Sequence, residues 1–212
     1  MPRRKTTEAD IDWDEALRHL EHADPELSAL TRRFPGERIQ SSGSAFQVLA
    51  NAVVGQQISV KAASAIFARL TALLGGWVPE AVISVSSEAL RTAGLSTRKV
   101  EYFRELAAAF VTGRVDPLRW RDESDAQVLK ELVSLRGIGR WTAEMFLIFH
   151  LQRPDILPID DIGLLKSAAG TFGWDYPFDP KRLEIRAEAW RPWRTVGVWY
   201  LWRALDPVPV VY

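Results

Sequence analysis

Apolar residues in this chain recur at three- and four-residue intervals in one stretch after another, and no alternating apolar and polar run marks a strand. In "AFQVLANAVVGQQIS", Phe46, Leu49, Ala50, Val53 and Val54 fall on one helical face. "SVKAASAIFARLTALLGG" continues with Val60, Ala63, Phe67, Leu70 and Leu74 up to a glycine stop. The spacing predicts two packed helices joined at "GQQIS". Gly94 ends the helix containing "SSEALRTAG", and the next one lines up Val100, Phe103, Ala107 and Phe110 before closing at Gly113. Ser124 and Gln127 have capping-box spacing ahead of a helix that turns Leu129, Leu132 and Val133 inward and ends near Leu135. After the turn "RGIG" comes "RWTAEMFLIFHL", which reads as a buried helix. The acidic start of "DDIGLLKSAAGTFG", Asp179 before Pro180, and Pro192 open three more. The fold class expected is all-α, with roughly ten helices on short connections. The first 40 residues carry the weakest pattern.

At 212 residues, 47% of them hydrophobic, the chain can bury one large or two small cores. It has no cysteine, which excludes disulfides, thiolate zinc sites, cysteine nucleophiles and cysteine-bound iron–sulfur clusters together. The histidines are three, and the helix-spaced pair His19 and His22 has no third ligand nearby, so it reads as a surface pair. No apolar run is long enough to span a membrane, and "MPRRKTTEAD" has no signal-peptide core, so a cytoplasmic location is expected. With 27 basic and 27 acidic residues there is no bulk charge for coating nucleic acid. Any claim of nucleic-acid binding therefore rests on a local site. The nine tryptophans supply core, and also flat faces on which a base can stack.

"LRGIGRWTAEMF" sets Gly137 and Gly139 two apart directly before a helix. Glycine permits a tight turn and leaves the following amides unshielded, at the positive end of the helix dipole. Such a turn accepts an anion, and a DNA phosphate held there would fix position without reading sequence. The same spelling also serves a plain glycine cap between two helices. Across the loop "QRPDILP", Asp160 and Asp161 open a helix. One aspartate there is an N-cap. A pair needs only one cap, which leaves the other carboxylate available to stabilise positive charge.

Four segments in order, "AFQVLANAVVGQQISVKAA", "LRGIGRWTAEMF", "LPIDDIGLLKS" and "RPWRTVGVWYLW", resemble the helix-hairpin-helix DNA glycosylase superfamily that includes endonuclease III. Within it they are similar to the 3-methyladenine DNA glycosylase II branch, the AlkA type, over approximately residues 40 to 205. The resemblance implies a two-lobed helical core over residues 41–212, with a hairpin at 125–151 and a catalytic loop at 152–163. It also implies that residues 1–40 are an N-terminal extension packing on that core, without the extra N-terminal α/β domain of longer members. It implies a monofunctional glycosylase of base excision repair that flips and hydrolytically excises alkylated bases, 3-methyladenine and 7-methylguanine among them. The expected partner is double-stranded DNA containing such bases, met by a monomer with no membrane contact.

The implied catalytic residue is Asp161, whose carboxylate stabilises the oxocarbenium character that develops as an N-glycosidic bond breaks. Trp141 stands where strand-cutting relatives carry a Schiff-base lysine, so no lyase activity is implied. Trp141, Met145, Trp193 and Gln56 are the implied base pocket, where an electron-poor alkylated purine stacks on the aromatic faces. Core packing is the plain alternative for each tryptophan, and the one expected for Trp13, Trp77 and Trp120. Gly137, Ile138, Gly139, Arg140, Thr142 and Gln57 are the implied DNA contacts. No organic cofactor is implied; a structural Na+ or K+ held by the backbone carbonyls of Val133, Leu135 and Ile138 belongs to the DNA-bound state.

Two departures stand out. Gln57 replaces the apolar wedge of the best-known members, and an amide there can hydrogen-bond the orphaned base instead of filling the gap. Met145 replaces a frequent pocket aromatic, which loosens the pocket. The basic stretch "PRRK" offers a terminal DNA contact or merely a solvated end. Two other readings remain at this point: a non-catalytic helix-hairpin-helix DNA-binding module, and a glycosylase for another base lesion.

Overall fold

A computed structural model describes residues 11–205, so "PRRK" lies outside the described residues. Among those, every regular element is helical. In chain order they are α1 (Trp13–Ala23), α2 (Pro25–Thr31), α3 (Ala45–Gly55), α4 (Val60–Leu74), α5 (Pro79–Ser84), α6 (Ser87–Thr92) and α7 (Thr97–Val111). There follow α8 (Asp125–Val133), α9 (Arg140–Phe149), α10 (Ile162–Phe172), α11 (Lys181–Ala187) and α12 (Arg194–Leu205), with short 3-10 turns at Arg119–Arg121 and Glu188–Trp190. They form two compact units, residues 42–146 and residues 11–41 together with 147–205.

In the contiguous unit, helix starts are fixed by serines. Ser44, Ser59, Ser86 and Ser96 each accept the amide three residues on, heading α3, α4, α6 and α7. Helix α3 packs on α4 and α7, and α5 and α6 pack on α7. The predicted face of α3 is buried in full. Phe46 stacks on Phe103 at 6.2 Å and meets Phe110 edge-on at 5.4 Å, and the ring series continues through Trp120 to Phe146.

Two predicted faces shift. Val60 is 84% exposed, because it lies in the first turn of α4, whose buried face runs through Ile66 and Leu70. On α8 the inward residues are Val128 and Leu132, while Val133 is 43% exposed. Leu135, beyond the helix end, fills the next inward place, so the true phase sits one position from the one read in sequence.

The discontinuous unit is built around α12, buried from Thr195 through Leu201, with α1, α2 and α10 against it. Such a helix is apolar all round because it has no solvent face. Gly197 is required by packing, since a Cβ there would lie 2.8 Å from Trp190 Cε3. Asp24 caps α2 through Leu27 N and accepts from Arg186 and from Trp190 Nε1 at 2.8 Å. Burial pushes its carboxyl up, but Arg186 and the other donors outweigh that and hold it below the ordinary value.

Candidate functional site

The loop between α9 and α10, in the discontinuous unit, is stapled to the start of α12. Thr195 N donates to Pro154 O at 2.9 Å, and Thr195 Oγ1 donates to Arg153 O and accepts from Ile156 N at 3.0 Å. Arg194 grips Asp155, with Nε donating to Oδ1 at 2.6 Å and a terminal nitrogen to the Asp155 carbonyl at 2.8 Å. Charge-assisted bonds of this kind hold a proline-containing loop in one path without a helix or strand to do so. That path delivers Asp161 to the head of α10.

Asp161 Oδ1 accepts Leu164 N at 2.6 Å and Trp202 Nε1 at 3.0 Å. The sequence leaves open which of the two aspartates caps the helix, and the structure gives the cap to the second. Asp160 is exposed, and the helix cap is Asp161, the residue the resemblance marks for chemistry. The reason is positional: the residue directly before the first helical turn is the one whose carboxylate reaches the amide three residues on. Gly163 leaves room for this, since a Cβ there would stand 3.2 Å from the same Oδ1. The carboxylate is thus a charge of fixed orientation, half-buried, with one oxygen anchored by two donors.

Trp202 was not among the residues singled out from sequence. In "WYLW" it reads as core, and its partner lies 41 residues away, so only the three-dimensional arrangement reveals it. Its indole is stacked on Phe149 at 5.6 Å and 17°. Trp193 sits at the other end of α12, where its carbonyl accepts Val196 N. Nine residues at 1.5 Å rise separate the two tryptophans by roughly 13 Å along the axis. Trp202 is thus a donor to Asp161.

The contiguous unit holds the hairpin. Helix α8 ends at Val133, and α9 begins at Arg140 with Ala143 N bonded to Gly139 O. Gly137 has φ +88°, and a Cβ on it would lie 2.6 Å from Tyr102 Cγ, so this glycine is demanded from inside. Gly139 is different. Its φ is not in the left-handed region, and a Cβ there would meet nothing within 4 Å. No internal packing calls for glycine at 139.

The side chains of the hairpin divide the same way. Ile138 is buried and its amide is spent on Leu135 O at 3.1 Å. Thr142 is buried, 8% exposed, in the first turn of α9. Arg140 Nε donates to Glu144 Oε1 at 2.8 Å, while its side chain stays mostly exposed. Trp141 is 44% exposed, which removes it from the core, and Met145, one turn further on the same face, is 5% exposed. Of the carbonyls suggested for a cation, that of Leu135 already accepts the Ile138 amide.

Gln56 is half-buried and its Nε2 donates to Gly137 O at 2.7 Å, which ties the loop after α3 to the hairpin turn. Gln57 is exposed with φ +58°, a left-handed backbone on a non-glycine residue. His19 Nε2 is hydrogen-bonded to Ala189 O and His22 Nδ1 to Arg18 O. Among the described residues no group of three or more His, Asp or Glu side chains converges as metal ligands, and no helix is long and apolar enough to cross a membrane.

Comparison with known proteins places these features in a family. The sequence matches the family described as HhH-GPD superfamily base excision DNA repair protein over residues 50–195. It is 31% identical over 188 residues to DNA-3-methyladenine glycosylase 1 of Schizosaccharomyces pombe, covering 84% of this chain and 79% of that protein. The fold is similar to the crystal structure of a DNA-3-methyladenine glycosidase from Bacillus halodurans, with TM-score 0.84, 37% identity, and 92% and 90% of the two chains covered. It is also similar to an S. pombe 3-methyladenine DNA glycosylase in complex with abasic DNA, with TM-score 0.74, 28% identity, and 89% and 95% covered.

Proposed function

We propose, because this chain belongs to the HhH-GPD superfamily of base excision DNA repair proteins, that it excises alkylated bases from double-stranded DNA as a glycosylase of the 3-methyladenine type II kind. The observation that carries the reading to chemistry is Asp161, a carboxylate anchored through one oxygen at the head of α10 by Leu164 N and Trp202 Nε1. Breaking the N-glycosidic bond moves electrons into the leaving base and positive charge onto the sugar. A pre-oriented carboxylate stabilises that charge without reorganising. An N-alkylated purine already carries positive charge and leaves as a neutral base, so one carboxylate suffices.

The reaction ends at an abasic site. Trp141 occupies the position at which a lysine would form a Schiff base, and an indole has no such chemistry. Its exposure supports a stacking role toward a flipped base. The hairpin backbone at Gly139 and the first turn of α9 would hold a phosphate, and the neutral carbonyls of Val133, Leu135 and Ile138 suit a structural Na+ or K+ on the DNA-bound protein. The protein acts as a monomer in this scheme.

The test is release of free base from methylated duplex DNA by wild type and by Asp161→Asn, with strand breaks assayed before and after alkali. Methylated base freed by wild type alone, and breaks only after alkali, is the expected result. Asparagine keeps the helix cap, so DNA affinity and melting temperature should hold while the rate falls by about 10²–10³ or more. Loss of binding together with activity would make Asp161 a structural cap and overturn the assignment.

A further inference from the structure

We propose that Lys99 is a positioning residue for DNA engagement, fixing the loop after α3 directly and the hairpin turn through Gln56. The inference rests on the reading above, in which that loop and that turn touch DNA.

Lys99 lies in the first turn of α7, and its ammonium donates to Val54 O at 2.6 Å and to Gln56 O at 2.7 Å. These carbonyls stand at the C-terminal end of α3, where backbone oxygens lose their helical partners and the dipole is negative, so a cation is the natural cap. Gln56 then passes the restraint on, because its Nε2 donates to Gly137 O. Three residues along α7, Tyr102 fills the space beneath Gly137, and the Arg136 guanidinium lies 5.8 Å from the Tyr102 ring. One helix therefore braces both segments.

What is held this way is a backbone that would not hold itself. Gln57 keeps a left-handed conformation that its side chain disfavours, and such conformations persist only where surroundings over-determine them. Here the determinant is the ammonium gripping carbonyls on either side of Gly55. Burial pushes the Lys99 ammonium below its ordinary value, yet the two short bonds keep it where it is. A surface lysine with a solvated head would exert no such hold.

The experiment uses the full chain and two duplexes of one sequence, undamaged and carrying a tetrahydrofuran abasic-site analogue. Lys99→Met should weaken binding to the abasic duplex by about tenfold, the size of one charge-assisted hydrogen bond, with a smaller loss on undamaged DNA. In a Gln57→Ala background the same substitution should cost no more than about twofold, because the side chain being positioned is gone. Lys99→Arg, which retains donors, should restore most of the affinity. Equal losses on both duplexes, or equal losses in both backgrounds, would reduce Lys99 to general stability and overturn the proposal.

Amide hydrogen exchange of residues 137–140 in the DNA-free protein supplies a second reading. Faster exchange in both Lys99→Met and Gln56→Met, with the rest of the contiguous unit unchanged, supports the brace; unchanged exchange overturns it. Because exchange needs no DNA, a wild type that fails to prefer the abasic duplex would count against the functional reading, while exchange still decides the brace.

Discussion

The loop ahead of α10 and the hairpin ahead of α9 both lead into a helix N-terminus, yet they present opposite kinds of chemistry there. At α10 the N-terminal amides are turned inward to a side chain, Asp161, which is itself gripped by Trp202. At α9 two glycines flank the buried Ile138 before the helix, Thr142 is buried, and Gly139 is exposed with no side chain over it. The first arrangement fixes a carboxylate; under the proposed function the second would receive a phosphate, so that charge stabilisation and anion binding would come from one structural element used in two senses.

That contrast can be broken by substitution. The largest effect in the hairpin should come from Gly137→Val, which forces a branched side chain into left-handed backbone and against Tyr102, at a cost of about 3 kcal/mol or more in stability. Chemical denaturation measures it, and a variant as stable as wild type would show that the turn tolerates a Cβ.

Trp202→Phe comes next. It keeps an aromatic ring against Phe149 but deletes the bond to Asp161, so single-turnover base release should slow by about 10–100-fold, corresponding to roughly 1.5–3 kcal/mol, with DNA affinity kept. An unchanged rate would mean that the cap alone orients the carboxylate. The smallest effect belongs to Gly139→Ala, where a methyl meets nothing within the protein. Melting should not move, while affinity should fall a few-fold on every sequence alike, about 1 kcal/mol, with a shallower dependence on salt. A loss confined to one sequence context would remove the phosphate role.

Much of this was legible in the amino-acid sequence because it is local. The helical periods, the serine caps, the glycine turn and the acidic pair before α10 all depend on neighbours within a few residues, and family resemblance added Asp161. What escaped was long-range or depended on phase. Trp202 looked like core until its partner 41 residues back was located, and Gln56 finds Gly137 at a separation of 81. On α8 two adjacent apolar residues, Leu132 and Val133, could both be read as inward, and only packing at Leu135 decides between them. The aspartate pair was open for a different reason: spacing alone does not say which of two adjacent carboxylates caps α10, and the structure puts Asp161 there.

The order in which the chain leaves the ribosome meets an obstacle in this architecture. Residues 42–146 are consecutive, whereas α1 and α2 must wait for helices built from the far end. Asp24 meets Arg186 only after a further 162 residues have been added. During synthesis the N-terminal helices therefore wait for α12, and Leu27, whose side chain lies beside Gly197, lacks that neighbour until the last helix is made.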